Sequence, residues 1–178
     1  MYYTTHHNSP LGLLMLASDG ENIVGAWLEG QKYFAATLGD QAVQKEDLPV
    51  FAQAENWLKR YFDGAKPAIA ELPLAPRGGE FRAEVWKILC EIGYGECTTY
   101  GSIAKTLADR TGKGAAAQAV GGAVGHNPIS IIIPCHRVVG ANGNLTGYAG
   151  GIDAKIKLLR HEGVDMSRLF VPTAGTAL

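Results

Sequence analysis

Apolar residues change their spacing several times along the chain. Leu11 to Ala17 and Ile23 to Leu28 are short, dense apolar segments on either side of Ser18-Asp19-Gly20-Glu21-Asn22, and a turn-rich spacer between two such runs predicts a β-hairpin. His6 and His7 just before it are expected on opposite faces of a strand. From Phe51 the period becomes helical: Phe51, Ala54, Trp57, Leu58, Tyr61 and Phe62 share a face, with Pro49 near the start and Gly64 just past the end. Residues 65 to 79 hold three prolines and two glycines without a period, which predicts an extended connector. A domain boundary there divides the chain into 1–79, mixed α/β, and 80–178, mostly helical.

In the second part, Phe81, Val85, Ile88, Leu89 and Ile92 form a helical stripe that Gly93 can end. Two short segments follow, Ser102 to Arg110 and Ala115 to Val124, joined by Thr111-Gly112-Lys113-Gly114. That is the outline of a helix-turn-helix, with Ser102 placed to cap its first helix. The second segment is nearly all Ala, Gly, Val and Gln, a composition equally suited to a tightly packed core helix and to one whose backbone approaches a partner closely. A last helix, Ile152 to His161, sets Ile152, Ile156 and Leu159 on one face and Lys155, Lys157 and Arg160 elsewhere, and stops at Gly163. There is no internal repeat.

The composition is that of a globular protein, 178 residues with 47% hydrophobic content, which excludes disorder. The formal net charge of −1 argues against a nucleic-acid partner when taken whole. Divided, it argues otherwise: residues 1 to 99 carry 8 Lys/Arg against 13 Asp/Glu, and residues 100 to 160 carry 7 against 2. Screening limits the reach of distant charges to about 10 Å, so a locally basic region can attract a polyanion. No apolar run nears the about 20 residues that span a bilayer, and the N-terminus lacks the order of a signal peptide. A soluble, cytoplasmic protein is expected. Three cysteines, Cys90, Cys97 and Cys135, make a disulfide framework an unsuitable reading and pose the question of which thiol reacts.

The candidate chemistry lies in Asn127-Pro128-Ile129-Ser130-Ile131-Ile132-Ile133-Pro134-Cys135-His136-Arg137-Val138-Val139. Three consecutive isoleucines read as a buried strand that Pro134 must end, which would set Cys135 at the strand's end. A thiol reacts as thiolate, and cationic neighbours lower its pKa from about 8.5; His136 and Arg137 are residue types able to do this. The tetrapeptide alone leaves an inert buried thiol open as well.

Pro134-Cys135-His136-Arg137-Val138 resembles the active-site motif of the O6-alkylguanine-DNA alkyltransferases, the methylated-DNA–protein-cysteine methyltransferases. The resemblance continues through Gly95 to Tyr100, Ala119-Val120-Gly121-Gly122-Ala123, Asn127-Pro128, Gly147-Tyr148-Ala149-Gly150-Gly151 and Leu158-Leu159-Arg160-His161-Glu162-Gly163, in the family's order. It is strong over about residues 80 to 165 and weaker at Ser9-Pro10-Leu11-Gly12 and the hairpin. It implies a ribonuclease-H-like α/β N-terminal domain and a C-terminal domain with a winged-helix-like helix-turn-helix. It also implies irreversible transfer of the alkyl group of O6-alkylguanine in double-stranded DNA to Cys135, once per molecule. Acceptance of O4-alkylthymine is left open.

The resemblance assigns roles by position. Cys135 is the nucleophile, His136 its base through a water, Glu162 the carboxylate that orients His136, Tyr100 a donor to N3 of the departing guanine, and Asn127 the tie between the recognition helix and the active-site turn. Pro134, Val138, Val124, Gly147, Tyr148, Ala149 and Gly150 would wall the pocket for a flipped base. Gln118, Ala117, Ala119, Gly121, Gly122, Thr99 and Arg137 would meet DNA through the minor groove, whose width of about 6 Å suits small side chains. No cofactor is implied, because the DNA is the alkyl donor. A structural zinc, held in some relatives, is not expected, since residues 1 to 89 contain no cysteine. A monomer is expected.

One position departs from the pattern: many members carry an arginine where this chain has Gln118, which brings no charge and a shorter reach. The glycine-rich Val120 to Gly125 follows a helix rather than a strand, which is the wrong setting for a dinucleotide loop. Two other classes stay open on sequence alone. One is a non-catalytic lesion sensor, against which Cys135 stands; the other is a Cys-His hydrolase, which needs an oxyanion hole.

Overall fold

The computed structural model describes residues 1–39 and 42–173. The chain divides into two compact bodies, Met1–Gly78 with Pro128–Ile132, and Gly79–Asn127 with the chain from Ile133 onward. A five-residue segment far along the sequence thus belongs to the first body.

In the first body, β1 (Tyr2–Ser9), β2 (Gly12–Ser18), β3 (Ile23–Leu28) and β4 (Ala42–Gln44) form one sheet in the order β3-β2-β1-β4. The hairpin expected from the sequence is β2 and β3, antiparallel with Leu14 opposite Leu28 and Leu16 opposite Ala26. Strand β1 adds a second antiparallel neighbour, while β4 runs parallel to it. The helix α1 (Pro49–Phe62) has Pro49 in its first turn, where a missing N–H is harmless, and it buries Phe51, Ala54, Trp57, Leu58 and Tyr61. Burying a large apolar side chain contributes about 1.5–3 kcal/mol, so this single face holds the helix in place.

The connector is not a free spacer. Trp57 Nε1 donates to the Ala68 carbonyl at 2.9 Å, and Ile23 exchanges backbone hydrogen bonds with Pro73 and Ala75 at 2.8 and 2.9 Å. Further along the same strand, Ala26 N donates to Pro128 O at 2.9 Å and Ser130 N to Ala26 O at 2.8 Å. Residues 73–75 and 128–130 therefore supply backbone partners for β3 beside β2, which leaves less of that strand unpaired.

The second body holds α2 (Glu80–Leu89), α3 (Tyr100–Thr111), α4 (Ala117–Gly125) and α5 (Ile152–His161). Two short strands, β5 (Thr98–Thr99) and β6 (Val138–Val139), pair in parallel, and β6 directly follows Arg137. Trp86 Nε1 donates to Ala123 O at 2.9 Å and pins α2 to α4. The turn between α3 and α4 begins at Gly112, whose φ of 68° closes the helix in the left-handed conformation.

Four local expectations need correction. Helix α2 stops at Leu89, so Ile92 lies outside it. Thr99, not Ser102, caps α3: its Oγ1 accepts from the Ser102 N–H at 3.1 Å. The isoleucine run is no strand. Ile131 has φ of 72°, and the Ile132 and Cys135 N–H groups donate two residues back, to Ser130 and Ile133. All three isoleucines are buried, so their apolar character reports the core while the backbone turns, and a β-branched residue at positive φ carries about 1–3 kcal/mol of strain. Finally, Lys155 lies on the buried side of α5, completely enclosed. Among the described residues no helix is long and apolar enough to cross a membrane.

Candidate active site

Cys135 opens a single 3₁₀ turn, Cys135–Arg137, directly after Pro134, and β6 follows. This tight turn projects three consecutive side chains in different directions, which an extended strand would not do. Cys135 is buried, and its Sγ lies 3.1 Å from Asn127 Nδ2. The second hydrogen of the same amide goes to the Ile133 carbonyl at 2.9 Å. Asn127 follows α4 almost immediately, so one buried side chain joins the end of that helix to the thiol and to the backbone before it.

His136 is fully enclosed, with Nε2 2.6 Å from Glu162 Oε1. A carboxylate there fixes the proton on Nε2 and leaves Nδ1 as the basic nitrogen. Nδ1 has no hydrogen-bond partner among the described residues. Glu162 is saturated: Oε1 also accepts from Arg137 Nη2 at 3.0 Å, and Oε2 accepts from Arg137 Nε at 2.8 Å and the Gly95 N–H at 3.1 Å. The Arg137 fork therefore compensates the carboxylate in a buried, bidentate pair. Its remaining arm, Nη1, reaches the Ile92 carbonyl. Gly95 has φ of 78°, and a Cβ there would lie 2.9 Å from the Glu162 carbonyl oxygen, so only glycine suits this contact.

These contacts correct two expectations. Arg137 is not on an exposed surface for DNA: it is buried and committed to Glu162. Nor do His136 and Arg137 make Cys135 a resting thiolate. Burial pushes the Cys135 thiol up, opposed mainly by the Asn127 amide and by the charge of Lys155. Burial also holds His136 below its usual value, although Glu162 pulls the other way. Both shifts favour the uncharged forms, thiol and imidazole, over the ion pair.

Tyr100, the first residue of α3, donates its hydroxyl to the Thr146 carbonyl at 3.2 Å, and burial raises its pKa to about 12. Tyr148 is buried with its ring edge-on to His136, centroids 6.4 Å apart, and its hydroxyl has no partner among the described residues. Pro134, Val124 and Val138 are buried, whereas Gly147, Ala149 and Gly150 are half-buried beside Tyr148. Gly147 has φ of 80°, and a Cβ on it would stand 2.6 Å from the Tyr100 hydroxyl.

Helix α4 presents two different sides. Val120, Ala123 and Val124 are buried, while Ala117, Gln118, Ala119 and Gly122 are exposed and Gly121 is half-buried; Thr99, at the α3 cap, is half-buried too. Its small residues thus lie both in the core and on the exposed side of the helix. The basic excess of this region is smaller at the surface than in the sequence: Arg137 and Lys155 are buried, and Arg110 is paired with Glu91 at 2.6 Å. Lys105, Lys113, Lys157 and Arg160 are the exposed cations of residues 100 to 160 with no ion pair among the described residues.

Sequence reasoning missed Lys155, whose Nζ donates to Val138 O at 2.6 Å and Thr146 O at 2.9 Å. A signal was available. The buried positions near the end of the chain are Lys155, Leu158, Leu159 and Glu162, a perfect i, i+3, i+4, i+7 stripe that begins and ends on a charge.

Residues 80–164 match the family model described as the 6-O-methylguanine DNA methyltransferase DNA binding domain, and residues 1–76 match its ribonuclease-like domain. A methylated-DNA–protein-cysteine methyltransferase from Haemophilus influenzae is 43% identical over 90% of this chain and 86% of its own length. One from Methanosarcina acetivorans is 44% identical over 92% of this chain and 99% of its own. Among solved structures, Mycobacterium tuberculosis OGT in complex with DNA superposes with a TM-score of 0.75 at 41% identity, over 94% of each chain. With both domains matched in order and such identity along most of its length, the chain belongs to the 6-O-methylguanine DNA methyltransferase family.

Proposed function

We propose that this protein repairs DNA by moving the alkyl group of O6-alkylguanine onto its own Cys135, as a methylated-DNA–protein-cysteine methyltransferase that acts once per molecule. The observation that carries this reading is the buried chain Asn127–Cys135 beside His136–Glu162–Arg137, with the free Nδ1 of a neutral imidazole available as base.

The chemistry follows from those groups. DNA binds across the exposed small-residue face of α4, through the minor groove, and the damaged base rotates into a pocket walled by Pro134, Val124, Val138 and residues 147 to 150, at a cost of a few kcal/mol. His136 Nδ1 takes the Cys135 proton through a bridging water, and Glu162 holds the imidazolium that results. The Asn127 N–H supports charge on sulfur. Sulfur then forms a bond to the alkyl carbon while the bond from that carbon to O6 breaks, and the electron pair passes into the guanine ring. Tyr100 donates to N3 as that charge develops, and the proton held by His136 ends on guanine. Atoms balance with no cofactor: one thiol and one alkylguanine become one thioether and one guanine. Because the thioether is stable, the protein is consumed.

In this reading the first body, residues 1–78 with 128–132, is a ribonuclease-H-like scaffold, and the second body is a winged-helix-like reactive domain, in a protein that works as a cytoplasmic monomer. The test is incubation with duplex DNA containing O6-methylguanine, followed by intact-mass and peptide analysis. One methyl group gained on Cys135 per molecule is expected, and Cys135→Ala should bind the duplex and never transfer. Binding without transfer by the natural chain would favour a lesion sensor, and repeated product release from unmodified protein would favour a hydrolase; either result refutes the proposal.

A further inference from the structure

We infer that Lys155 is a positioning residue for alkyl transfer: its ammonium shares the Thr146 carbonyl oxygen with the Tyr100 hydroxyl, keeping that oxygen paired and a cation close by when Tyr100 turns its hydrogen toward the departing guanine. The inference rests on the role proposed above for Tyr100.

Three observations support it. First, Lys155 is fully buried and forms no ion pair among the described residues. A buried cation without a carboxylate is expensive, and here carbonyl oxygens alone receive it, Val138 at 2.6 Å and Thr146 at 2.9 Å. Second, these two carbonyls belong to the segments that frame the chemistry. Val138 begins the strand leaving the Cys135–Arg137 turn, and Thr146 begins the loop that carries Tyr148. Third, the next residue, Gly147, is pressed so closely on Tyr100 that a Cβ would lie 2.6 Å from the hydroxyl, so the position of that hydroxyl follows the position of this loop.

The geometry resolves a conflict in the resting site. The Tyr100 hydroxyl has one hydrogen, and it is spent on Thr146. Moving it to N3 would leave a half-buried carbonyl unpaired if Tyr100 were its sole donor. A carbonyl oxygen accepts two hydrogen bonds, and Lys155 holds the other, so the hydrogen is released without orphaning the acceptor. As negative charge grows on guanine and on the Tyr100 oxygen, a fixed cation already stands on the far side of the shared acceptor.

The titratable groups facing Lys155 are the Cys135 and Cys97 thiols and the His136 imidazole. Burial lowers Lys155 to about 8, whereas Cys135, Cys97 and Tyr100 are all raised. Lys155 is then the member of this group that loses its charge just above neutrality.

The experiment is single-turnover transfer from duplex O6-methylguanine at saturating DNA, against pH, for the natural chain, Lys155→Met, Tyr100→Phe and the double variant. The natural rate should fall above about pH 8, and Lys155→Met should be roughly 100-fold slower at neutral pH with its DNA affinity kept. The double variant should be no slower than Tyr100→Phe, because one residue acts through the other. Multiplying losses, or a Lys155→Met rate equal to the natural one, would overturn the inference. Should Lys155→Met not fold, the natural chain still decides: a rate that stays level from about pH 7 to about pH 10 overturns it. Failure of the natural chain to transfer at any pH is a different result, which removes the parent reading instead.

Discussion

Glu162→Gln separates the chemistry of the site from its stability. The substitution preserves shape but removes the charge, and one carboxylate oxygen becomes an amide NH2 that donates and cannot accept. Both oxygens of Glu162 accept hydrogen bonds, from Arg137 and His136 on one and from Arg137 and Gly95 on the other, so either amide orientation sets donor against donor. Arg137 is left a buried cation with the Ile92 carbonyl as its remaining strong partner. Breaking a buried pair by removing one charge costs about 3–5 kcal/mol. In a chain of this length that corresponds to a melting temperature lower by about 10 °C. The Nε2 proton of His136 is no longer fixed, and loss of an oriented base lowers transfer by about 10²–10⁴. Adding Arg137→Met removes the stranded charge, so the double variant should recover most of the melting temperature and none of the rate. Calorimetry and single-turnover transfer read the two effects independently. A Glu162→Gln protein that transfers at the natural rate would refute the orienting role, and a double variant no more stable than the single would refute the charge argument.

Three further outcomes are expected. Because burial holds His136 below its usual value, its base form should persist as pH drops past about 6.5, and transfer rates should begin to fall only below that value. The unfolded chain binds that proton and the folded chain does not, so stability should also decline as pH drops below about 6.5; a half-maximal rate above that pH contradicts the assignment. Gly147→Ala adds about 1–2 kcal/mol of backbone strain at φ of 80° and pushes the Tyr100 hydroxyl off its acceptor, so urea midpoint and transfer rate should drop together; an unaffected rate would detach Gly147 from Tyr100. Gln118→Arg on the exposed side of α4 should tighten binding to damaged duplex and steepen the salt dependence by about one phosphate contact, and an affinity that is unchanged or lower contradicts the DNA-facing role of that side chain.

Elements whose burial is confined to one face were legible from sequence. Phe51 to Phe62 and Ile152 to His161 are the helices their spacing predicts, and the hairpin stands where the turn residues put it. Strand β1 was legible only at His6 and His7, because Tyr-Tyr-Thr-Thr-His-His-Asn-Ser has no apolar run to mark its extent; its full length and its place come from pairing on both sides. The isoleucine run misled for the opposite reason, since a densely apolar triplet reports burial without fixing backbone direction. Arg137 and Lys155 were read as surface charge because composition carries no depth. Their partners, Glu162 in one case and two backbone carbonyls in the other, are brought near only by tertiary structure.

The segment 128–130 paired with β3 also bears on synthesis and dissection of the protein. Ala26 and Ile129 are bridge partners about a hundred residues apart, so the first body leaves the ribosome with part of its sheet uncapped. That stretch of β3, buried at every position in the finished protein, stays exposed until α2, α3 and α4 have all been made. Uncapped apolar strands recruit other chains, and nascent or truncated products ending before Pro128 should therefore be the form that aggregates and needs chaperone protection. A fragment cut between the two family-matched regions would carry Cys135 but lose the strand against which the turn before it is fastened.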